Sequence, residues 1–176
     1  FIAGSLDLRD LGGPSAKPYQ PAGYYTALQF PDRDYLASNA DAQWRRGVYS
    51  HWQRTFLHPM LANFDAPARD ECTAQRVNSN TPQQALTLLN DPTFVESARL
   101  FAARIIAEVG KNDTTRLRLA FQSALARPPK SAELKSLKKF LNTQRLTYQA
   151  APAEAEKLLR VGLAPPSIGE PAELAA

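Results

Sequence analysis

The sequence is poor in the residue types that most often build redox and metal centres. Its 176 residues include a single cysteine, Cys72, and only two histidines. One cysteine excludes an internal disulfide and any site that needs several thiolates. The glycine-rich phosphate loop, the Cys-x-x-Cys-His haem attachment and the Gly-x-Ser-x-Gly elbow of hydrolases are also missing. We therefore predict no cofactor and no metal within this chain.

The sequence also lacks the features of a membrane span or a nucleic-acid surface. No apolar run approaches the ~20 residues that cross a bilayer. The net charge of +4 is only mildly basic, and a nucleic-acid surface would need clustered cations interleaved with stacking aromatic residues. The lysines at 135, 138 and 139 instead fit a solvated helix face. We predict no membrane span and no nucleic-acid partner.

Residues 1–40 contain proline, glycine and aromatic residues without a helical repeat. A residue that precedes proline is pushed out of the helical region, and glycine permits turns. The aromatic side chains of this segment need a surface on which to bury. We therefore predict a mainly α fold in which an irregular arm, residues 1–40, packs on a helical bundle.

Apolar periodicity and capping residues mark the helices that follow. Thr81-Pro82-Gln83-Gln84 combines an N-cap threonine, a proline at the first helical position and a glutamine at the third, which is a capping box. Asp91-Pro92 repeats the combination of a cap and a proline, and Gly110 fits a helix stop. The predicted helices lie near residues 42–56, 82–90, 92–109, 114–126, 131–148 and 153–162.

The first of these helices depends on a stripe of Trp44, Val48, Trp52 and Phe56, with a strand as the alternative for 47–49. Residues 59–80 are predicted to be a long polar loop. Together these assignments predict an arm at 1–40, a helical domain at 41–163, and a linker or the start of a further helix at 164–176. Because both ends are uncapped, we expect the chain to be an internal fragment of a longer protein.

Several residues are candidates for chemistry, each with a simpler structural interpretation. His51 and His58 could bind a metal if a loop carboxylate such as Asp65 joined them, but ordinary surface histidines are favoured. Loop carboxylates at 65, 70 and 71 could form an acid and base pair, although salt bridges with nearby arginines are favoured. Cys72 could be a nucleophile, but a buried small side chain is favoured.

The densest polar cluster of the sequence runs from Arg69 to Asn90. A helix N-terminus with a cation and several amides suits an anion or the hydroxyl groups of a sugar. The alternative is structural: Gln84 closes the capping box and the asparagines hold turns. The candidate residues for a ligand site or a structural cluster are Asp65, Arg69, Arg76, Asn80, Gln84 and Asn90.

Several linked motifs resemble a known family. They are RRGVYSHWQRT at 45–55, FDAPARDEC at 64–72 and NTPQQALTLLNDP at 80–92, with shorter matches at 11–14, 19–21, 126–129 with 133–134, and 173–176. The chain resembles the planctomycete and verrucomicrobial domain of unknown function 1553, which is also met as a cytochrome-associated domain. Two positions depart from the pattern. Gln83 replaces a usual leucine, and Gln75 replaces an arginine that often precedes Arg76.

The resemblance implies a large exported protein, located in the periplasm or on the cell surface. It also implies companion domains, one of which often carries a c-type haem, and more helix after Ala176. It supplies no catalytic residues. Two readings stay open: an accessory or structural module that contacts other domains of its parent protein, or a carbohydrate-acting enzyme domain with a polar pocket around residues 65–90. The residues do not decide whether the chain is an enzyme.

Overall fold

The computed structural model describes residues 1–9, 12–20, 23–24, 34–53, 56–68, 72–165 and 170–176. Within these ranges the chain is mainly helical, and its β structure consists of isolated bridges. The predicted mainly α class is confirmed. The chain divides into two compact units. We call Leu6–Phe94 the N-unit, and Phe1–Ser5 together with Val95–Ala176 the C-unit. The domain bounds drawn from the sequence stay a prediction.

The N-unit contains short helices joined by extended segments. Its helices are α1 (Ala40–Gln43), a 3-10 turn (Gly47–Tyr49), α2 (Pro59–Asn63) and α3 (Pro82–Asn90). The helix α2 was not expected, because residues 59–80 were predicted to be a loop. It has proline at its first turn, where the missing N–H is not needed. It packs against α3.

The predicted helix at 42–56 is wrong, and the arm explains why. The backbone N–H of Asp7 binds the carbonyl of Trp44 at 2.8 Å, and Ala16 pairs with Tyr49 and His51 at 2.8 and 2.6 Å. These bonds use backbone groups that a continuous helix would need for its own ladder. The stripe residue Val48 is 77% exposed. Residues 47–49 form a 3-10 turn instead of the alternative strand.

Side chains complete the attachment of the arm to this part of the N-unit. The amide of Gln43 donates to the carbonyls of Lys17 and Ser38, both at 2.9 Å, and accepts from the Tyr19 N–H at 3.0 Å. The guanidinium of Arg45 donates to the carbonyls of Gly12 and Pro14 at 3.0 and 2.9 Å. The irregular arm is therefore held in place by hydrogen bonds between its backbone and the side chains of Gln43 and Arg45.

The C-unit consists of longer helices with clear local signals. It contains α4 (Pro92–Val109) from Val95 onward, α5 (Asp113–Leu125), α6 (Ser131–Ala150), α7 (Pro152–Leu159) and α8 (Pro171–Ala175). The helix α6 packs against α5, α7 and α8. The buried apolar side chains are Ile105, Ala155, Leu159 and Leu174.

The helices α3–α7 confirm the five sequence-predicted helices that follow residue 80. Gly110 adopts φ 71° after α4, as expected for a helix stop. The cap of α5 differs from the expectation by one residue. The side chain of Asn112, and not that of Asp113, accepts the Thr115 N–H at 3.1 Å.

Candidate functional site

The candidate cluster of the N-unit is centred on Asp65, directly after α2. Asp65 adopts φ 57°, which is uncommon outside glycine. Its carboxylate accepts the backbone N–H of Ser79 at 2.8 Å and the Ser79 hydroxyl at 2.9 and 2.8 Å. These bonds connect the end of α2 to the residues that precede α3. Sequence analysis missed Ser79, because its partner lies fourteen residues away and no local pattern links them.

Arg76 joins the same cluster through main-chain groups. Its Nε donates to the carbonyl of Asp65 at 3.0 Å, and its Nη2 donates to the carbonyl of Phe64. An ion pair between the Arg76 guanidinium and a loop carboxylate was expected from the sequence. Toward the described residues the guanidinium binds carbonyl groups at the C-terminal end of α2, where a cation is favoured. Asp70, the other carboxylate considered as its partner, lies outside the described residues.

Gln84 links the cluster to the first turn of α3. It accepts the Thr81 N–H at 3.2 Å, and the Thr81 hydroxyl accepts the Gln84 N–H at 3.2 Å, so the predicted capping box is confirmed. The Gln84 amide also donates to the Ser79 hydroxyl at 2.9 Å and lies 3.5 Å from the Asp65 carboxylate. Gln84 is buried in consequence.

The other candidates lie apart from this cluster or outside the described residues. Asn90 donates to the carbonyl of Leu86 on its own helix at 2.8 Å. Asn80 is exposed. Arg69 and the carboxylates at 70 and 71 lie outside the described residues. The structure thus brings together Asp65, Arg76 and Gln84.

The electrostatics of the cluster favour an ionised carboxylate with its oxygens occupied. Hydrogen bonds from the backbone N–H and the hydroxyl of Ser79 lower the pKa of Asp65, and the positive charge of Arg76 lowers it further. A general acid needs a raised pKa instead. The arrangement therefore suits closure of the 65–81 loop better than proton transfer.

Replacing Thr81 by alanine removes the cap of α3 and leaves an N–H of its first turn without a protein acceptor. We expect the free energy of unfolding to fall by about 1 kcal/mol, the usual cost of losing an N-cap. Urea unfolding followed by circular dichroism measures this change. Thr81→Ser, which keeps the hydroxyl, should restore most of the loss, and equal losses in both variants would contradict a capping role.

His58 and Cys72 are placed differently from their favoured sequence interpretations, whereas His51 is partly exposed. His58 is only 7% exposed, although surface histidines were favoured, and Cys72 is exposed, although a buried side chain was favoured. Asp65 was considered as a third metal ligand beside the two histidines, but its carboxylate binds Ser79. Among the described residues no group of three or more His, Cys, Asp or Glu side chains is placed to hold a metal ion.

A second polar cluster, in the C-unit, was not found by sequence analysis. Arg145 of α6 contacts Asp113 of α5 and Glu173 of α8, with N–O distances of 2.5 to 2.8 Å, and Arg116 also contacts Glu173. The arginines border an open cavity of about 220 Å³ between α4, α5, α6 and α8, which is lined mainly by apolar side chains such as Phe101 and Leu141. The two cations face two carboxylates, so the cluster is neutral.

Acid should weaken the C-unit through this cluster. Hydrogen bonds from Arg145 hold the pKa values of Asp113 and Glu173 below their ordinary values of 3.8 and 4.5. A carboxylate with a lowered pKa in the folded state stabilises the fold above its unfolded pKa, and this contribution is lost as the pH falls through the folded value.

We therefore expect the thermal midpoint to be steady from neutral pH to about pH 5 and to fall below about pH 4. Asp7 and Glu133, whose pKa values are lowered to about 2 by Arg9 and Arg127, titrate in the same range. The variant Glu173→Gln isolates the contribution of the C-unit cluster to this acid sensitivity. Its midpoint should be lower at neutral pH and less sensitive to acid, and an unchanged acid sensitivity would contradict the assignment.

A third polar arrangement, also in the C-unit, holds the segment after α7. The carboxylate of Glu96 accepts the N–H groups of Leu163 and Ala164 at 3.0 and 2.7 Å. Arg99 donates to the carbonyls of Ala164 and Pro165 at 3.1 and 2.8 Å. Both residues are 4% exposed. We call this arrangement the Glu96–Arg99 clamp.

No helix in the described part of the chain is both long enough and apolar enough to cross a membrane.

Comparison with protein families gives one finding. A family described as a protein of unknown function (DUF1553) matches residues 1–141. No curated protein and no solved structure matches the chain.

Proposed function

The chain belongs to the DUF1553 family of proteins of unknown function, and from this premise we propose that it is an accessory or structural module of a larger exported bacterial protein. The observation that carries the proposal is that the polar groups of the Asp65 cluster bind one another. Both carboxylate oxygens accept hydrogen bonds from Ser79, and Arg76 and Gln84 bind groups of the same loop. A structural loop closure needs these bonds, whereas a catalytic pocket needs polar atoms that are open to substrate.

The proposed location of the module and its companion domains rest on the family motifs. We propose an extracytoplasmic location in a planctomycete or verrucomicrobial bacterium, with further domains of the same protein as partners and a c-type haem in a separate domain. Cell fractionation with an antibody against this chain tests the location. Haem staining of the detected band, together with its mass, tests the haem and the companion domains. A cytoplasmic, haem-free band near the 19.4 kDa of the chain would overturn this context.

The alternative is a carbohydrate-acting enzyme domain. The gathering of Asp65, Arg76 and Gln84 beside the start of α3 favours it, because a carboxylate, a guanidinium and an amide can together bind sugar hydroxyls. On this alternative the bonds within the cluster would open when substrate binds. The two functions therefore differ in what the loss of Ser79 or Asp65 should do.

The experiment compares Asp65→Asn and Ser79→Ala with the control Asn80→Ala, whose exposed side chain lies outside the cluster. A structural module predicts lower thermal midpoints and faster proteolysis of the 65–81 loop in the first two variants, and no change in the control. It also predicts no release of reducing ends from a panel of polysaccharides by the unmodified chain. Polysaccharide cleavage that Asp65→Asn abolishes at an unchanged thermal midpoint would establish the enzyme instead.

A further inference from the structure

The C-unit contains a cavity of about 220 Å³ between α4, α5, α6 and α8. Small side chains help to create it, because Ala98 and Ala102 of α4 and Ala120 of α5 line it where larger apolar residues would fill the space. Protein interiors have few voids larger than one water molecule. Atoms beside such a void lose the dispersion contacts that a filled core would give them. The cavity therefore suits a ligand that supplies these contacts.

The walls of the cavity set the size and character of that ligand. Larger apolar side chains complete the lining, namely Phe101, Ile105, Ile106, Leu117 and Leu141. Water gains few hydrogen bonds in an apolar space, whereas apolar surface is favoured there. An apolar cavity of about 150 Å³ can hold one benzene ring. In proportion, 220 Å³ suits a molecule of about nine non-hydrogen atoms.

The polar part of the lining consists of Arg116, Arg145 and Glu173. The Nε, Nη1 and Nη2 atoms of Arg145 all donate to the carboxylates of Asp113 and Glu173, at 2.5 to 2.8 Å. Arg116 donates to Glu173 as well. An anionic ligand would have to displace a carboxylate from these bonds, and it would meet the negative charge of Glu173. The charges around the cavity therefore favour an uncharged ligand.

Glu173 keeps an acceptor site for such a ligand. Its Oε1 accepts from Arg116 and Arg145, whereas among the described residues its Oε2 accepts only from Arg145 Nε, at 2.8 Å. Each oxygen of an ionised carboxylate offers about two acceptor sites. Hydrogen bonds from Arg145 lower the pKa of Glu173, so the carboxylate is ionised at neutral pH. The side chain is 27% exposed, so Oε2 can accept a further hydrogen bond from a ligand that donates one.

We propose that the cavity binds an uncharged alcohol of about nine non-hydrogen atoms, whose apolar chain contacts the walls and whose hydroxyl donates to Glu173 Oε2. Ligand sites are commonly apolar cavities in which a few polar groups fix the orientation of the ligand. This binding function is additional to the structural role proposed for the module. It belongs to the C-unit and not to the Asp65 cluster, so either proposal can fail without the other.

The test titrates the unmodified chain with 1-octanol, an alcohol of this size, below its solubility limit. Calorimetry measures stoichiometry and affinity, and NMR follows the methyl groups of Ile105, Ile106, Leu117 and Leu141. The expected result is saturable binding of one octanol per chain with shifts of these methyl signals. Failure of octanol to saturate the chain, or saturation that leaves these signals unmoved, would overturn the proposal.

Two related compounds test the contact with Glu173. Heptyl methyl ether is an isomer of octanol that cannot donate a hydrogen bond, and octanoate has the same chain length with a negative charge. Each should bind about tenfold more weakly than octanol or worse, because a hydrogen bond to a charged group is lost in the first and a like charge approaches Glu173 in the second. Equal or tighter binding of either compound would contradict the assignment.

Variants locate the binding within the chain. Ala102→Leu places a larger side chain in the cavity, so it should weaken octanol binding by about tenfold or more without lowering the thermal midpoint. The matched control is Ala107→Leu, since Ala107 is an exposed residue of the same helix outside the cavity lining. Its affinity should be unchanged. If Ala102→Leu fails to fold, Ala120→Leu makes the same test from α5.

Two results would assign the cavity differently and overturn the proposal. Equal octanol affinity in Ala102→Leu and Ala107→Leu would place the alcohol elsewhere on the chain. Sedimentation velocity supplies the second result. A dimer that Ala102→Leu dissociates, in a chain that does not bind octanol, would show that a second copy of the chain fills the cavity.

Discussion

Replacing Glu96 by alanine is expected to lower the free energy of unfolding of the C-unit by about 3–5 kcal/mol, the range for removing one partner of a buried charged pair. Glu96 and Arg99 are both 4% exposed. The loss of the carboxylate would leave the N–H groups of Leu163 and Ala164 without their acceptor, and the Arg99 guanidinium buried without a negative charge. Each buried group without a partner adds to the cost.

Urea unfolding followed by circular dichroism measures this effect, and α4 offers a matched control. Glu108 on the same helix forms an exposed ion pair with Arg104 at 3.3 Å, so Glu108→Ala should change stability by less than about 1 kcal/mol. The double replacement of Glu96 by leucine and Arg99 by methionine should cost less than the two single replacements added together, because neither charge is left alone. A Glu96→Ala loss as small as that of the control would show that the clamp contributes little.

Replacing Gly162 by alanine should be similarly damaging, for a steric reason. Gly162 has φ 98°, and an added Cβ would lie 2.1 Å from Oε2 and 2.6 Å from Cδ of Glu96. Positive φ costs a residue with a side chain about 1–2 kcal/mol, and overpacking adds about 1–3 kcal/mol. The Glu96 carboxylate could move away only by breaking its bonds to Leu163 and Ala164. We expect a total loss of about 3 kcal/mol or more from the two effects.

Gly110 provides the control that separates the two causes. It has φ 71°, and an added Cβ would meet no atom within 4 Å. Gly110→Ala should therefore show only the backbone cost of about 1–2 kcal/mol. The difference between the two variants, measured by urea unfolding, reports the contact with Glu96. Equal losses at the two glycines would mean that the Glu96 side chain adapts without cost.

Local chemistry explains why the helices beyond residue 80 could be predicted. A cap, a first-turn proline and an apolar repeat act within about four residues of one another, and the helix α3 begins at Pro82 for these reasons. The same chemistry failed at 42–56. There the apolar stripe is present, but the backbone of Trp44 and Tyr49 pairs with Asp7 and Ala16 of the arm. A tertiary interaction outweighed the local pattern.

Only part of the candidate site could be predicted, because its members come from distant parts of the chain. Asp65, Arg76 and Gln84 do come together, but the sequence placed Asn80 and Asn90 with them on composition alone. Asn90 binds its own helix. Ser79, which supplies the bonds that hold Asp65, carried no signal beyond being one polar loop residue among several.

The sequence by itself determined the helical class, the approximate positions of α3–α7 and the family to which the chain belongs, because these depend on residues that are near one another or on motifs in a set order. Only the tertiary structure decided which polar groups meet. Ser79 reaches Asp65 across 14 residues, and Leu163 reaches Glu96 across 67. His58 is buried because the arm supplies the Tyr19 carbonyl. A hydrogen bond between distant residues leaves no periodic trace in the chain, since its geometry exists only once the segments between them have folded.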